Sequence, residues 1–464
     1  MTTASISPER SQWLLSVAAA LASGLLLWVA SPAVGAGWLA WIALVPAATA
    51  AFRLPGRPGR LALPLAFGVS LELLLVPALP FGLAENQWAD DPIVPILVGD
   101  SPVLAVALVA VPLLVALLYA LRFPFLGAPA VLAGAIGWTA LDTLRTKLDP
   151  AGLFGELYAT QHDTPLADVA AVGGPWLLTF TIALANLALA RRALPSLALA
   201  AAIAVGAVLW IPEPGPPRLE LAAVQPGYDT AEFDRPLLRF HRARRYPESA
   251  RVIVRDLEQI RAPAAVVVWP EAAVWIPPGE VELGPSAGRL VVPFFLPGPA
   301  EGGAVVAAGG GLSRAEPKHR PMWFVGERGD PGEPRPIGEL GTMLGVDSQD
   351  AAVARELAAA GATVLTSSTH DWKQLAPHHR AHERIASAAV GRPLVRADWR
   401  YGSAVFDRGA VRADAGLERR RTVVAAAVSA PHDTPYVRIG DLFGWAAVAG
   451  AALLLLLRLR ASAG

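Results

Sequence analysis

The segment GTMLGVDSQDAAVARELAAAGA, residues 341–362, shows the pattern of a short apolar strand, a tight corner and an amphipathic helix. In many hydrolase folds, a corner of this kind holds a nucleophile over a pocket. Here the corner contains Asp347 and Ser348. The chemistry of the protein therefore depends on which of these side chains the corner presents, and on whether that group can react.

Two interpretations of this corner stay open. Asp347 is a residue type preferred at helix N-termini, where the helix dipole stabilises a carboxylate, so it is expected to cap the helix at 350–360. Ser348 is an alternative hydroxyl nucleophile. However, no histidine–acid pairing that would activate Ser348 is evident in the sequence.

The composition indicates a membrane protein that carries a soluble part. Of its 464 residues, 54% are hydrophobic and only 17% are charged. The 39 basic and 39 acidic residues balance, so nucleic acid is not an expected partner. Cysteine is absent, which excludes disulfides, thiolate metal sites, a thiol nucleophile and a lipidated cysteine in this chain.

Long apolar runs dominate the first 212 residues, and one more follows near the C-terminus. A helix needs about 20 apolar residues to cross about 30 Å of hydrocarbon. The predicted spans are 12–32, 35–52, 62–83, 102–121, 126–143, 165–190, 195–211 and 442–457. We therefore expect about eight spans, with residues 12–32 as an anchor and not as a cleaved signal peptide.

The charges of the short loops predict the orientation of these spans. Arginines follow the second, fourth, sixth and last spans, whereas the loop LAENQWADDP (83–92) is acidic and has no basic residue. Basic loops are retained in the cytoplasm. Both termini are therefore expected inside, and residues 212–441 outside.

A proline-rich linker, WIPEPGPP, separates the apolar runs from a stretch with the composition of a globular α/β domain. Short apolar strands such as AAVVVWP and ATVLTSS alternate there with helical patterns. We expect a membrane domain at 1–212, a globular domain at 213–436, and a final span with a short cytoplasmic tail at 437–464. The Pro/Gly-rich stretch 276–340 is expected to form long loops.

Two residues of the globular domain have a suitable setting for acid–base chemistry. Glu271 follows the apolar strand VVVWP, where desolvation can raise a carboxyl pKa and create a general base. Lys318 lies on a proline-rich loop, from which a lysine can stabilise an oxyanion. Each residue by itself also fits an ordinary role, Glu271 at a helix start and Lys318 in solvent. His378 and His382 have helical spacing, but no metal site is expected because no metalloprotease-like acid accompanies them.

The order of these features resembles that of the nitrilase superfamily. An acid after VVVWP, a lysine before FVGE, a strand–elbow–helix, and then GRPLVRADWRYGSAVFD follow one another along the chain. With seven expected spans before the domain and one after it, the chain is similar to the apolipoprotein N-acyltransferase family. The stretch HDTPLADVAAVGGPWLLTFTIALANLALA resembles that family's loop-and-helix signature. The resemblance implies an αββα sandwich on the extracytoplasmic side of the bacterial inner membrane.

The resemblance also implies a Glu–Lys–Cys triad and an acyl transfer from phospholipid to the amine of a diacylglyceryl-lipoprotein. By position, Glu271 resembles the general base, Lys318 the oxyanion-stabilising lysine and Glu327 the supporting glutamate. The position of the family's nucleophilic cysteine is occupied by Asp347. The resemblance implies no cofactor and no metal, with phospholipid, lipoprotein and the membrane as partners. Three tryptophans are expected to line the substrate or membrane interface: Trp275, Trp323 and Trp372.

The missing thiol excludes thioester chemistry, and two readings follow. The first is a binding or scaffolding protein that retains the architecture of the family. The second is an active N-acyltransferase that uses Ser348, Asp347 or a direct transfer aided by Glu271. Amide hydrolysis by a nitrilase-like domain ranks last, because it also needs the thiol. With Asp347 in the cysteine position, Lys318 is expected to form an ion pair with Asp347 and not to wait for an oxyanion.

Overall fold

The computed structural model describes residues 7–85, 131–148, 155–211, 215–227, 254–260, 264–271, 273–274, 283, 288–295, 302–308, 311–321, 332–371, 373–418 and 421–463. Its first part is helical, its middle part contains two β-sheets, and its last part is again a helix. The helices are α1 (Pro8–Ala30), α2 (Ala40–Ala43), α3 (Val45–Arg53), α4 (Gly56–Glu85), α5 (Val131–Leu148), α6 (Val169–Arg191), α7 (Leu194–Trp210), α8 (254–259), α9 (Ala351–Ala359), α10 (Ala376–Val390), α11 (Pro435–Ile439) and α12 (Leu442–Ala463).

Most of the predicted spans correspond to helices. Within the described residues, three helices are long and apolar enough to cross a membrane, and they begin at Pro8, Pro165 and Leu442. The run predicted at 35–52 is divided into a 3₁₀ turn, Gly37–Leu39, and the two helices α2 and α3. The span predicted at 102–121 lies outside the described residues, so the number of eight spans stays a prediction.

Helix α6 bends close to its start, where it contacts the globular part. Gly173 and Gly174 have non-helical backbone angles, and Pro175 follows them. Gly174 has φ +75°, and a Cβ there would lie 2.5 Å from Cε2 of Tyr436. Glycine therefore allows α6 to turn while Tyr436 of α11 packs directly against its backbone.

The globular part contains two sheets. Its strands are β1 (Pro217–Gln225), β2 (Val266–Val268), β3 (Arg289–Phe295), β4 (Gly302–Ala308), β5 (Gly311–Leu312), β6 (Glu316–Pro317), β7 (Leu340–Leu344), β8 (Val364–Thr369), β9 (Pro393–Asp398), β10 (Ala404–Asp407), β11 (Ala410–Asp414) and β12 (Thr422–Ser429). The first sheet has the order β12-β1-β2-β3-β4-β5, with β6 also paired to β4. The second sheet has the order β11-β10-β9-β8-β7.

The sheets pack face to face with helices on their outer sides. Leu221 and Val268 of the first sheet share one buried cluster with Leu340 and Val395 of the second. The other face of the first sheet packs against α8 through a second cluster. Apolar residues of α9 and α10 cover the second sheet and join the core of the membrane helices. The described residues thus form the expected αββα sandwich, because each sheet buries both of its faces.

One expectation about the sandwich was wrong. Residues 276–340 were expected to form long loops, yet β3, β4, β5 and β6 all lie within this range. The strand β3, which spans Arg289–Phe295, pairs in parallel with β2 and antiparallel with β4. The abundance of glycine and proline there hid the run RLVVPFF, whose residues 290–294 are all buried, so that the run does not show strand alternation.

Candidate functional site

The site forms at the ends of strands from both sheets. Glu271 follows β2, and its backbone N–H donates a hydrogen bond of 3.4 Å to the carbonyl of Thr369, at the end of β8. Its own carbonyl accepts a hydrogen bond of 2.6 Å from Nε1 of Trp399, just after β9. These two bonds join the two sheets through the backbone of Glu271, and they fix the position of its side chain.

Lys318 and Glu271 form an ion pair inside this site. Nζ of Lys318 lies 2.9 Å from Oε1 of Glu271, and the two side chains are only 6% and 19% exposed. Such a short, largely buried pair favours both charged forms. The two residues identified from the sequence as base and cation are therefore brought together, 47 positions apart in the chain.

The elbow approaches Glu271 through a glycine. Gly345, the first residue of the 3₁₀ turn Gly345–Gln349, has φ +49°. A Cβ at this position would lie 2.7 Å from Oε1 of Glu271. Glycine is needed here for its backbone angle and also for the space that the carboxylate occupies. The elbow and the ion pair therefore belong to one site.

Asp347 lies at the centre of this turn, and its carboxylate is sealed by backbone donors. Oδ1 accepts a hydrogen bond of 2.6 Å from the N–H of Arg320. Oδ2 accepts two more, each of 3.1 Å, from the N–H groups of His319 and Leu344. Asp347 is fully buried. The Asp347 side chain thus joins the elbow to the loop that carries Lys318. The ammonium of Lys318 forms its ion pair with Glu271.

Burial is the largest influence on the Asp347 carboxyl, and it raises the pKa of this group. Positive charge at His319 and Lys318 and the backbone hydrogen bonds oppose this shift. A carboxylate held in this way is a poor nucleophile, because all of its described bonds stabilise the lone pairs that would attack.

The helix cap was assigned to the wrong residue. The helix α9 is capped by Asp350, whose side chain accepts a hydrogen bond of 2.9 Å from the N–H of Ala352. Asp347 instead bonds back to Leu344 and across to the lysine loop. A 3₁₀ turn separates the strand from the helix, so the first helical residue comes later than the pattern suggested.

Ser348 lies beneath the elbow in a histidine–acid arrangement that the sequence did not reveal. Its Oγ is 2.6 Å from Nε2 of His379, and Nδ1 of His379 is 2.8 Å from Oδ1 of Asp371. Oγ of Ser348 also bonds to Glu383 at 2.8 Å and to the carbonyl of Gly345 at 3.0 Å. The expectation that Ser348 has no histidine–acid pairing was therefore wrong.

This arrangement is part of a buried ionic network under the second sheet. Arg396 lies 3.0 Å from Oε2 of Glu383 and 2.5 Å from Oδ2 of Asp371. Despite an opposing effect of burial, the pKa of His379 is raised by the carboxylates of Asp371 and Glu383. A protonated His379 donates both N–H groups, one to Asp371 and one to Ser348. With Ser348 fully buried, the geometry indicates that the network holds the elbow in place.

A second network ties the elbow to the membrane helices. Nζ of Lys147, on α5, lies 3.1 Å from Oδ1 of Asp350 and 2.7 Å from Oδ2 of Asp441. Asp441, directly before α12, also accepts a hydrogen bond of 2.9 Å from Nε1 of Trp176 on α6. The guanidinium of Arg320 contacts Asp350 as well. The cap of α9 thus lies at a junction of the helices α5, α6 and α12, which sequence spacing does not indicate.

Some expected site residues lie outside the described residues: Glu327, Trp275, Trp323 and Trp372. His378, His379 and His382 are buried on α10. Among the described residues, no group of three or more His, Cys, Asp or Glu side chains has the arrangement of a metal site.

The fold and the site define a class of protein in which a helical part with candidate membrane spans carries an αββα domain with a Glu–Lys pair beside an elbow. Residues 23–188 match the family model of the apolipoprotein N-acyltransferase N-terminal domain. This match covers less than half of the chain, and over those residues it agrees with the resemblance seen in the sequence. Comparison with curated proteins found no match.

Solved structures similar to this chain include several carbon–nitrogen hydrolases. A carbon-nitrogen hydrolase from Helicobacter pylori is 16% identical, covers 46% of this chain and 89% of its own, and has a TM-score of 0.34. An amidase from Nesterenkonia sp. is 18% identical, covers 48% and 93%, and has a TM-score of 0.31. Nit3 of Saccharomyces cerevisiae, a member of branch 10 of the nitrilase superfamily, is 16% identical, covers 46% and 90%, and has a TM-score of 0.34.

Proposed function

We propose that this chain is an N-acyltransferase-like membrane protein that binds a phospholipid acyl donor, a diacylglyceryl-lipoprotein, or both, without thioester catalysis. The family match supports the ligand class. The state of Asp347 carries the proposal, because its carboxylate replaces the family's cysteine and is held by three backbone N–H groups. A fully buried carboxylate in such bonds is suited to fixing the elbow, and unsuited to holding an acyl group.

The arrangement of the helices supports an extracytoplasmic position of the αββα domain. Helix α6 begins beside Tyr436 of that domain and ends at Arg191. Helix α12 begins beside Asp441 and carries Arg460 in its last turn. Arginine-rich ends favour the cytoplasm, so the opposite ends face outward with the domain. Exposed Trp210 and Trp445, at the domain ends of α7 and α12, fit the aromatic belt of a membrane interface.

Complementation tests the catalytic part of this proposal. The protein and its Asp347→Cys variant are expressed in a strain that lacks its own N-acyltransferase. We expect no rescue by the wild type. Rescue by the cysteine variant would show that Glu271, Lys318 and the substrate sites remain competent. Rescue by the unaltered protein would refute the proposal.

A second candidate function, N-acyl transfer without a cysteine, is favoured by two observations. The Glu271–Lys318 pair is intact at 2.9 Å, and Ser348 contacts His379 at 2.6 Å. Intact mass measurement after incubation with phospholipid would detect an acyl group on Ser348, and the Ser348→Ala variant would lack it. An unacylated wild type would remove Ser348 as the nucleophile, a role that the burial of Ser348 already disfavours.

A further inference from the structure

The loop that carries Lys318 is attached to three different carboxylates within three residues. The ammonium of Lys318 pairs with Glu271 at 2.9 Å. The backbone N–H groups of the next two residues donate to Asp347. The guanidinium of Arg320 extends further and contacts Asp350. The position of the lysine is therefore set by the two residues that follow it, as well as by its own ion pair.

Asp350 is the point where this loop meets α5 and α12. Lys147, in the last turn of α5, lies 3.1 Å from Oδ1 of Asp350 and 2.7 Å from Oδ2 of Asp441, directly before α12. Arg320 contacts Oδ2 of Asp350. The side chains of these four residues are between 5% and 22% exposed. A largely buried cluster of this kind holds its members together, because an unpaired charge there is costly.

Asp441 is also fixed by contacts that do not involve Lys147. Its Oδ1 accepts hydrogen bonds of 2.9 Å from Nε1 of Trp176, on α6, and of 2.8 Å from the hydroxyl of Tyr436, on α11. Lys147 therefore connects a fixed point at the start of α12 to the carboxylate that Arg320 contacts. A displacement of α5 from α12 must break one of the two contacts of Lys147.

Glu271, in contrast, is held by groups outside this cluster. Its backbone bonds to Thr369 at the end of β8 and to Trp399 after β9. A shift of Arg320 therefore changes the distance between Lys318 and Glu271 and does not move both residues together. Such a change matters for a reactive site, because a displacement of about 1 Å can alter a rate by about 100-fold.

We propose that the ionic cluster of Lys147, Asp350, Asp441 and Arg320 makes the closure of the Lys318–Glu271 pair depend on the packing of α5 against α12. Lys147 and Arg320 are positioning residues, since they act on the pair through Asp350 and the lysine loop. Packing that keeps Lys147 on both carboxylates holds the pair closed, and separation of the two helices exposes the ammonium. The proposal rests on the proposed function only in taking the Glu271–Lys318 pair as the working part of the site.

Selective acetylation measures the state of this pair directly. The chain contains only three lysines: Lys147, Lys318 and Lys373. The purified full-length protein in detergent is treated with acetic anhydride to a low extent, and mass spectrometry quantifies the modification of each lysine. Acetylation needs an accessible amine, which a buried ion pair does not offer. Lys373 is exposed and serves as the internal reference.

The expected changes are in the ratio of Lys318 to Lys373 modification. Arg320→Met should raise this ratio about tenfold, as the loss of one hydrogen bond between charged groups allows. Lys147→Met should raise it by about threefold, because Asp350 then keeps its contact with Arg320. Lys147→Gln keeps an N–H donor and should raise it about twofold, and it decides the test if the methionine variant does not fold. Lys147→Arg restores the charge and should return the ratio to that of the wild type.

Arg392→Met is the matched control, because it removes a buried arginine far from the cluster. Arg392 precedes β9, donates to the carbonyl of Ala362 before β8, and pairs with Asp433 at 2.6 Å. The site lies at the opposite ends of these two strands. The control variant should have a lower Tm and an unchanged Lys318 ratio. An equal rise of the ratio in Arg392→Met would show general loosening and would overturn the inference.

A wild-type ratio in every folded Lys147 variant would also overturn the inference, whatever Arg320→Met does. The labelling needs no lipid and no acyl transfer, so its result is separable from that of the proposed function. An unchanged ratio together with rescue by Asp347→Cys rejects the coupling alone. A raised ratio without such rescue rejects a competent acyl-transfer scaffold and leaves the coupling standing.

Discussion

Replacing Asp347 with asparagine separates a structural carboxylate from a reactive one. The wild-type carboxylate accepts three backbone N–H groups, from His319, Arg320 and Leu344. An asparagine carbonyl can accept two of them, and its amide nitrogen would face the third donor. One buried N–H left unpaired costs about 1–3 kcal/mol. Removing a buried charge offsets part of this, so we expect a loss at the lower end of that range.

Thermal unfolding of the purified protein measures the effect. For a domain of this size, each kcal/mol corresponds to about 2–4 °C in Tm. Asp347→Asn should therefore unfold a few degrees below the wild type, and Asp347→Ala, which loses all three acceptors, should unfold lower still. Glu333→Gln, at an exposed position, is the matched control and should be neutral.

The pH dependence gives a second check. The pKa of Asp347 is raised on folding, so the folded state binds its proton more readily than the unfolded state does. The wild type should therefore gain stability relative to Asp347→Asn as the pH falls through that raised pKa. A Tm of Asp347→Asn equal to or above that of the wild type at neutral pH, or an Ala variant more stable than the Asn variant, would refute the sealing role of the carboxylate.

Three further changes test the elbow and its supports. Gly345→Ala should abolish folding of the elbow or lower the free energy of unfolding by several kcal/mol, because the new Cβ would meet the Glu271 carboxylate. The control is Gly332→Ala, which has a similar φ of +53° and no atom nearby, so its Tm should fall only slightly. Lys147→Met should cost about 3–5 kcal/mol, because it removes the cation beside the largely buried Asp441 and leaves Asp350 with Arg320, whereas exposed Arg57→Ala should leave Tm unchanged. The pKa of His379 is higher in the folded protein than its ordinary value of about 6.5. The wild type should therefore lose stability as the pH rises from about 6.5 through the pKa of the folded state. The Tm of His379→Gln should depend less on pH.

The sequence was sufficient to predict an αββα domain and to single out Glu271, Lys318 and Asp347. Apolar runs of about 20 residues indicate membrane-spanning helices, because a helix of that length crosses the hydrocarbon core of a bilayer. Strand–acid, loop–lysine and strand–elbow–helix patterns singled out Glu271, Lys318 and Asp347, because their order along the chain resembles that of the nitrilase superfamily. The absence of cysteine needs no structure to exclude a thioester.

The contacts among these groups could be found only in the folded protein. The pairing of Lys318 with Glu271, the backbone bonds around Asp347 and the contact of Ser348 with His379 all join residues that are distant in the chain. Local patterns report propensity and burial, and they carry no information on which distant donor reaches a given carboxylate. Lys147 is an example. In the sequence it is a lysine near the end of an apolar run, whereas in the structure it bonds to Asp350, the cap of α9, 203 residues away.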